Sequence, residues 1–244
     1  FLIFSKLIFI TFIPLIFFNQ FYIMGRFSGW LQNTNIVAGL ATLSIILIFY
    51  NILIEKKKNY KELSFLFLFL IILLLTQSRG GLVSSIVGCI LIFLSNLKSI
   101  KSFIESTIIL IIVVIVLLLL INNSSFSEMI TFRDLELGIR GEMIDRQLNA
   151  FASNPIIGVG VVENEDDPTA RLHSETSYTD ILSMGGIIGS LFLIIAFIIR
   201  IKNLDKKSLF AFLTILVMSF SEGYITGIGG IISLVFYLIF ISGK

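Results

Sequence analysis

The chain has 244 residues, of which 56% are hydrophobic, a formal net charge of +2 and a single cysteine. With a mean hydropathy of +1.00, that composition excludes an ordinary soluble domain and indicates a polytopic helical membrane protein. The small net charge gives no footing for nucleic-acid binding, and the lone Cys89, inside an apolar run, excludes an internal disulfide, argues against a thiolate metal site and reads as a small buried hydrophobe.

Eight apolar runs follow one another: Ile8–Phe18, Ile36–Ile54, Leu63–Thr76, Leu82–Leu94, Phe103–Ile121, Gly185–Ile199, Ser208–Ser221 and Ile228–Ile241. The predicted fold is therefore all-α, a bundle of about eight spans forming one membrane domain over 1–244. Several runs fall short of the roughly 20 residues that cross hydrocarbon as helix, so tilt, re-entry or packing has to cover the difference. The chain opens inside a hydrophobic stretch with no initiator methionine, which reads as a fragment lacking earlier spans.

Threaded through eight spans, the charges sort. Every lysine, with Arg200, falls on one side, which the positive-inside rule makes cytoplasmic. Arg26, Arg79, Arg133, Arg140, Arg146 and Arg171 fall on the other. Topology needs no cations there, and the planar guanidinium fork pairs best with phosphate. An anionic ligand on the outer face is the expectation.

Arg26 precedes Phe27-Ser28-Gly29-Trp30 at the outer boundary, where Trp30 reads as an interfacial aromatic. Between the third and fourth runs stands Thr76-Gln77-Ser78-Arg79-Gly80-Gly81. Read as a kink within one long helix, it would scatter lysine over both faces; read as a hairpin with Arg79 at its tip and glycines permitting the turn, it keeps the bias uniform. Arg79 is then either a charge held for function at a membrane boundary or an anchor snorkelling to headgroups.

The connector at 122–178 is far longer than the others and is predicted to be an extracytoplasmic loop. From Arg140, the residues Met143, Ile144, Leu148 and Phe151 recur at helical spacing, with Glu142, Asp145, Arg146 and Asn149 opposite, so an amphipathic helix lying apolar side down on the membrane is expected. Asn154-Pro155 ends it, and an apolar glycine turn, Pro155–Gly160, follows. Arg140 reads as a ligand for the anion or as a surface anchor on lipid phosphate. The acidic patch Glu163, Glu165, Asp166 and Asp167 lacks the pattern of an ordered calcium loop and reads as solvated, so no metal is assigned. His173, the only histidine, suits a general base at neutral pH or is simply a loop residue. Gly185, Gly186 and Gly189 then open a span as small residues allowing close helix approach. Glu222 closes another, either pairing with an arginine or marking the water boundary.

Taken in order, these segments resemble the O-antigen ligase and O-antigen polymerase superfamily. Gly25-Arg26-Phe27-Ser28-Gly29 leading to Asn33-Thr34-Asn35-Ile36-Val37-Ala38 is similar to the family's Arg-x-x-Gly and Asn-Pro-Asn-x-x-Ala segments, with Thr34 in place of proline. Thr76–Gly80 matches Thr-x-Ser-Arg-Gly between two spans. Arg140 opening a helix that ends in Pro155-Ile156-Ile157-Gly158-Val159-Gly160 matches the loop helix, with Ile144 where the family has tryptophan. His173, Tyr178, Leu182 and Gly186–Gly189 match the loop histidine and the span start after it.

The resemblance implies an enzyme of the bacterial inner membrane, its site on the extracytoplasmic face: a metal-independent inverting glycosyltransferase without cofactors, using an undecaprenyl-diphosphate-linked glycan as donor. Arg79 and Arg140 would stabilise charge on the departing diphosphate and His173 would take the acceptor's proton. Arg26, Arg146, Asn35, Tyr178 and Glu222 complete the candidate site as substrate-binding residues. Partners are then the lipid-linked oligosaccharide, an acceptor that is another glycan (polymerase) or lipid A core (ligase), and membrane lipids. The rival reading from the residues is a transporter or flippase of an anionic lipid-linked substrate, whose expected inverted repeat is not seen in the chain.

Overall fold

The computed structural model describes residues 1–56, 59–96, 141–160, 176–227 and 230–242. The helices in chain order are α1 (Leu2–Leu15), α2 (Thr34–Leu53), α3 (Tyr60–Thr76), α4 (Arg79–Ser95), α5 (141–153), α6 (Ser177–Asn203), α7 (Lys206–Met218) and α8 (Ile231–Ser242). A two-stranded hairpin, β1 (Tyr22–Ile23) and β2 (Arg26–Phe27), stands between α1 and α2. The chain is mostly helical, as expected for an all-α protein. It divides into two compact units, Phe1–Asn122 with Asp205–Met218, and Asn123–Leu204 with Ser219–Lys244. The predicted span Phe103–Ile121 lies outside the described residues, as do Arg133, Arg140, the acidic patch, Arg171 and His173.

In the first unit α2 is the centre. It is apolar on every side, which suits a helix surrounded by others, and seventeen of its twenty residues are buried. Asn33 caps it, the side-chain oxygen accepting the N–H groups of Asn35 at 2.9 Å and Ile36 at 3.0 Å. Helices α3, α4 and α7 pack around it. On α4 the contact face is small: Gly81, Ser84, Ser85 and Gly88 are buried, and the Thr42 hydroxyl donates to the Gly81 carbonyl at 3.0 Å. A Cβ on Gly88 would lie 2.5 Å from Ile46 Cδ1 and 2.7 Å from Thr214 Oγ1, so the glycine is what lets α2, α4 and α7 meet. Such small-residue faces permit backbones to approach where no hydrophobic drive separates helix from lipid.

Lys6 pairs with Glu62 at 2.6 Å, and Lys207 reaches Asn51 at 2.6 Å and Glu55 at 3.3 Å. These contacts lie at the C-terminal end of α2 and the start of α3. Arg26 and Arg79 lie at the opposite end, beside the start of α2 and of α4. Among the described residues of this unit, Lys6 and Lys207 are thus separated from Arg26 and Arg79 by roughly the length of α2, about 30 Å at 1.5 Å per residue.

The first run is shifted from its predicted place. Its helix starts at Leu2 and stops at Leu15, with Pro14, which has no N–H for the ladder, in the last turn. The other described runs coincide with helices to within about three residues, except Gly185–Ile199, whose helix begins eight positions earlier, at Ser177. Two of these, α2 and α6, are long and apolar enough to cross a membrane; α3, α4 and α8 are shorter.

In the second unit, α6 is broken at Gly186, which has φ 59 and ψ −162. The segment Pro155–Gly160 lies along the break and takes up the backbone groups that it frees. Ile187 and Ile188 donate to the carbonyls of Pro155 and Ile156 at 2.9 and 3.1 Å, while Val159 and Gly160 donate to those of Ser183 and Met184 at 2.8 and 3.0 Å. Unsatisfied backbone is costly in an apolar setting, so a helix can be interrupted there only with such partners. Small residues were expected here to allow close helix approach; at Gly186 the segment that approaches is Pro155–Gly160 and not a helix. A Cβ on Gly186 would sit 2.5 Å from Gly158 N, against the covering segment, whereas Gly185 and Gly189 have nothing within 4 Å among the described residues. At the far end of α6, Arg200 donates through Nε to the Ile239 carbonyl at 3.1 Å, in the last turn of α8 where carbonyls lack helical partners.

Candidate functional site

Arg26 is delivered by the β-hairpin. Met24 and Gly25 both take left-handed backbone, φ 49 and 74, the pattern of the two-residue turn that matches strand twist. Opposite it, Phe27 is fully buried in an aromatic cluster with Phe12 and Tyr22, centroids 5.6 and 5.4 Å away. With Phe27 plugged inward, the neighbouring guanidinium reaches across to two helices: Nε donates to the Thr76 carbonyl at 3.0 Å and Nη2 to Asn35 Oδ1 at 2.9 Å. Asn35, expected to bind substrate, here orients an arginine. Trp30 is half exposed, its ring N–H donating to Thr11 Oγ1 at 3.1 Å.

The carbonyl that Arg26 holds ends α3, three positions before Arg79. Two helices joined by a tight connection stand here, as the hairpin reading expected, but the glycines do not make the turn. Gln77 does, in left-handed backbone at φ 52, and Ser78 then caps α4, its hydroxyl accepting Gly81 N–H at 3.2 Å. Gly80 and Gly81 belong to the first turn of α4. Gly81 is small for packing, since a Cβ there would meet Leu73, Thr42 and Ala38 side chains at 3.0 to 3.3 Å. Arg79 is the first residue of α4 and is exposed. A cation is disfavoured at a helix N-terminus, where the macrodipole is already positive. Helix stability therefore gives no reason for Arg79, and the combined positive potential suits an anion.

In the second unit α5 is helical as predicted, with Glu142, Asp145, Arg146 and Asn149 exposed. Its buried residue is not an apolar one. Gln147 is 2% exposed while Leu148 is 44% exposed. Gln147 donates through Nε2 to Asp180 Oδ1, and the Thr226 hydroxyl donates to Asp180 Oδ2 at 2.7 Å. These three polar residues escaped the sequence reading, although Gln147 shares a stripe with Met143 and Phe151 at four-residue spacing, and Asp180 is a lone carboxylate at the head of a span. Tyr178 is half buried, its ring tilted against Phe220 at 4.3 Å. Glu222 is half exposed, and its backbone carbonyl accepts from the Ser177 hydroxyl at 3.1 Å. Burial, then the Glu222 charge, holds the Tyr224 phenol well above its usual range. Among the described residues no group of three or more His, Cys, Asp and Glu is placed to hold a metal.

Of the candidates, Arg26, Asn35 and the turn before Arg79 are thus brought together in the first unit. Arg146, Tyr178 and Glu222 belong to the second. No curated protein matches the chain. The family described as O-Antigen ligase matches residues 63–194, which take in Arg79, Arg140, Arg146, His173, Tyr178 and the Gly186 break, while Arg26 and Asn35 precede the match. That match covers more than half of the sequence, and the chain belongs to the O-antigen ligase and polymerase superfamily.

Proposed function

We propose that this protein is a metal-independent inverting glycosyltransferase of the bacterial cytoplasmic membrane, with about eight spans and its site on the extracytoplasmic face. Its donor is an undecaprenyl-diphosphate-linked glycan. The observation that carries the reading is Arg79 at the positive end of α4, in the turn that Arg26 grips. As the anomeric carbon–oxygen bond breaks, negative charge builds on the departing diphosphate, and fixed cations with helix N–H groups stabilise that charge more than they do the ground state. Arg146 on the loop helix, and Arg140 before it in the sequence, add to it. His173 accepts the proton of the acceptor hydroxyl, which attacks the face opposite the diphosphate and inverts the anomeric centre. Asn35 sets Arg26, and Tyr178 and Glu222 take part in substrate binding. The acceptor of our reading is another lipid-linked repeat, giving O-antigen or capsular polymer. Transfer onto lipid A core is the second reading, favoured by the family's description as O-antigen ligase.

The test is a reaction of purified protein in nanodiscs with a lipid diphosphate-linked oligosaccharide. A new glycosidic linkage is expected, reduced about 10²–10³-fold in Arg79→Ala by loss of one charge stabiliser. Wild-type product from that variant would defeat the proposal, and passage of the lipid across the bilayer without linkage would make the protein a transporter.

A further inference from the structure

Asp180 lies in the first turn of α6 and is 1% exposed. Both its oxygens accept from donors far away in sequence, Gln147 at 33 positions and Thr226 at 46. No local secondary structure requires either bond. Burying a carboxylate is expensive, and apolar side chains at the three places would hold the same elements together without that expense. What the carboxylate adds is direction. Two oxygens at a fixed angle accept only from donors in fixed places, so the rotation of α5 about its own axis is set by where Gln147 points.

The far end of α5 is held by a different device, the backbone pairing of Pro155–Gly160 with the α6 break. Backbone pairing fixes where α5 stops. It does not fix which face the helix presents, and the Gln147 to Asp180 bond does. Arg146 is the residue next to Gln147 and is exposed, so turning α5 would swing its guanidinium. We propose that Asp180, with Gln147 and Thr226, is a positioning residue for glycosyl transfer, fixing the face that α5 presents and with it the direction of the Arg146 guanidinium. This inference rests on the transferase reading above.

The experiment compares wild type with Asp180→Ala, Asp180→Asn, Gln147→Ala and the Asp180→Ala, Gln147→Ala pair in nanodiscs, by hydrogen exchange and by transfer from a lipid diphosphate-linked oligosaccharide. Asp180→Ala is expected to speed exchange at 141–153 about ten-fold, from the stranded donors, and to lower kcat about 10²-fold through misplacement. Its KM should stay within about three-fold, and exchange in α2 should be unchanged. Asp180→Asn, whose amide oxygen still accepts from Gln147, should recover most of both losses. The pair should be no worse than Asp180→Ala alone, because the bond that Gln147→Ala removes is already lost with Asp180. Should Asp180→Ala fail to insert, Thr226→Val removes one donor at constant shape and is expected to move both readouts in the same direction. Unchanged exchange at 141–153 in the variants would overturn the clamp, and faster exchange with full kcat would overturn the positioning role. A wild-type protein that forms no linkage would refute the transferase reading and the positioning role with it, while the exchange data would still decide the clamp.

Discussion

Gly158 and Gly160 share one backbone conformation, φ +72 and +73, in different surroundings. A Cβ on Gly158 would stand 2.4 Å from the Met184 carbonyl oxygen, 2.5 Å from its carbon and 2.6 Å from Gly186 N, all backbone atoms that cannot rotate aside. On Gly160 it would meet nothing within 4 Å among the described residues. Replacing either with Ala forces an L residue into left-handed backbone, at roughly 1–2 kcal/mol. Only Gly158→Ala also pushes the covering segment off α6, adding overpacking of about 1–3 kcal/mol. The difference between the variants isolates the packing of loop on broken helix, because the strain is common to both. We expect Gly158→Ala to be less stable than Gly160→Ala by about 1–3 kcal/mol in reversible unfolding from mixed micelles, with faster protease cleavage after Asn154. Equal stability of the two variants would refute the close packing of Pro155–Gly160 against the Gly186 break.

Replacing Gly88 with Val should destabilise the protein by about 1–3 kcal/mol in the same unfolding assay, because the side chain would enter the space of Ile46 and Thr214. Arg26→Lys should lose as much transfer activity as Arg26→Ala, since a single ammonium cannot reproduce the fork that bridges Thr76 and Asn35; activity near wild type in the lysine variant would show that charge alone suffices. Asp205 caps α7 by accepting Lys207 and Ser208 N–H, each at 3.1 Å; the Ser208 hydroxyl lowers its pKa most, burial opposes it, and the backbone N–H groups add to the lowering, so the net shift is downward. Because the folded pKa lies below the unfolded one, this stabilisation is present above the unfolded carboxylate value and is lost as pH falls through the folded pKa. Asp205→Ala should therefore cost about 1 kcal/mol at neutral pH, and pH-dependent unfolding should show the gap to wild type closing below about pH 4.

Apolar runs disclosed the helices other than α5, which amphipathic spacing gave, because a segment with no polar face must be buried or in lipid whatever its neighbours. The break between α3 and α4 was legible for another reason: one long helix would have put lysine on both sides. The glycines of that segment misled, since Gly80 and Gly81 are equally good as turn or as packing residues, and only the position of α2 assigns Gly81 to packing. Similarly Gly186 could mark close helix approach or a helix break; the decision came from Pro155–Gly160, which supplies the hydrogen bonds that make a break tolerable. The hairpin that presents Arg26 was not visible, because Met24-Gly25 is a weak turn signal and its strands are two residues each.

The amino-acid order determined the all-α class and the superfamily, both of which depend on composition and spacing along the chain. It also nominated Arg26 and Arg79 through their place beside apolar runs. Only folding decided that Arg26 grips the carbonyl ahead of Arg79, and that Gln147, Asp180 and Thr226 meet. Those contacts join residues separated by 33 to 50 positions, and a side chain's partner at that distance is set by how helices pack, which no local periodicity encodes.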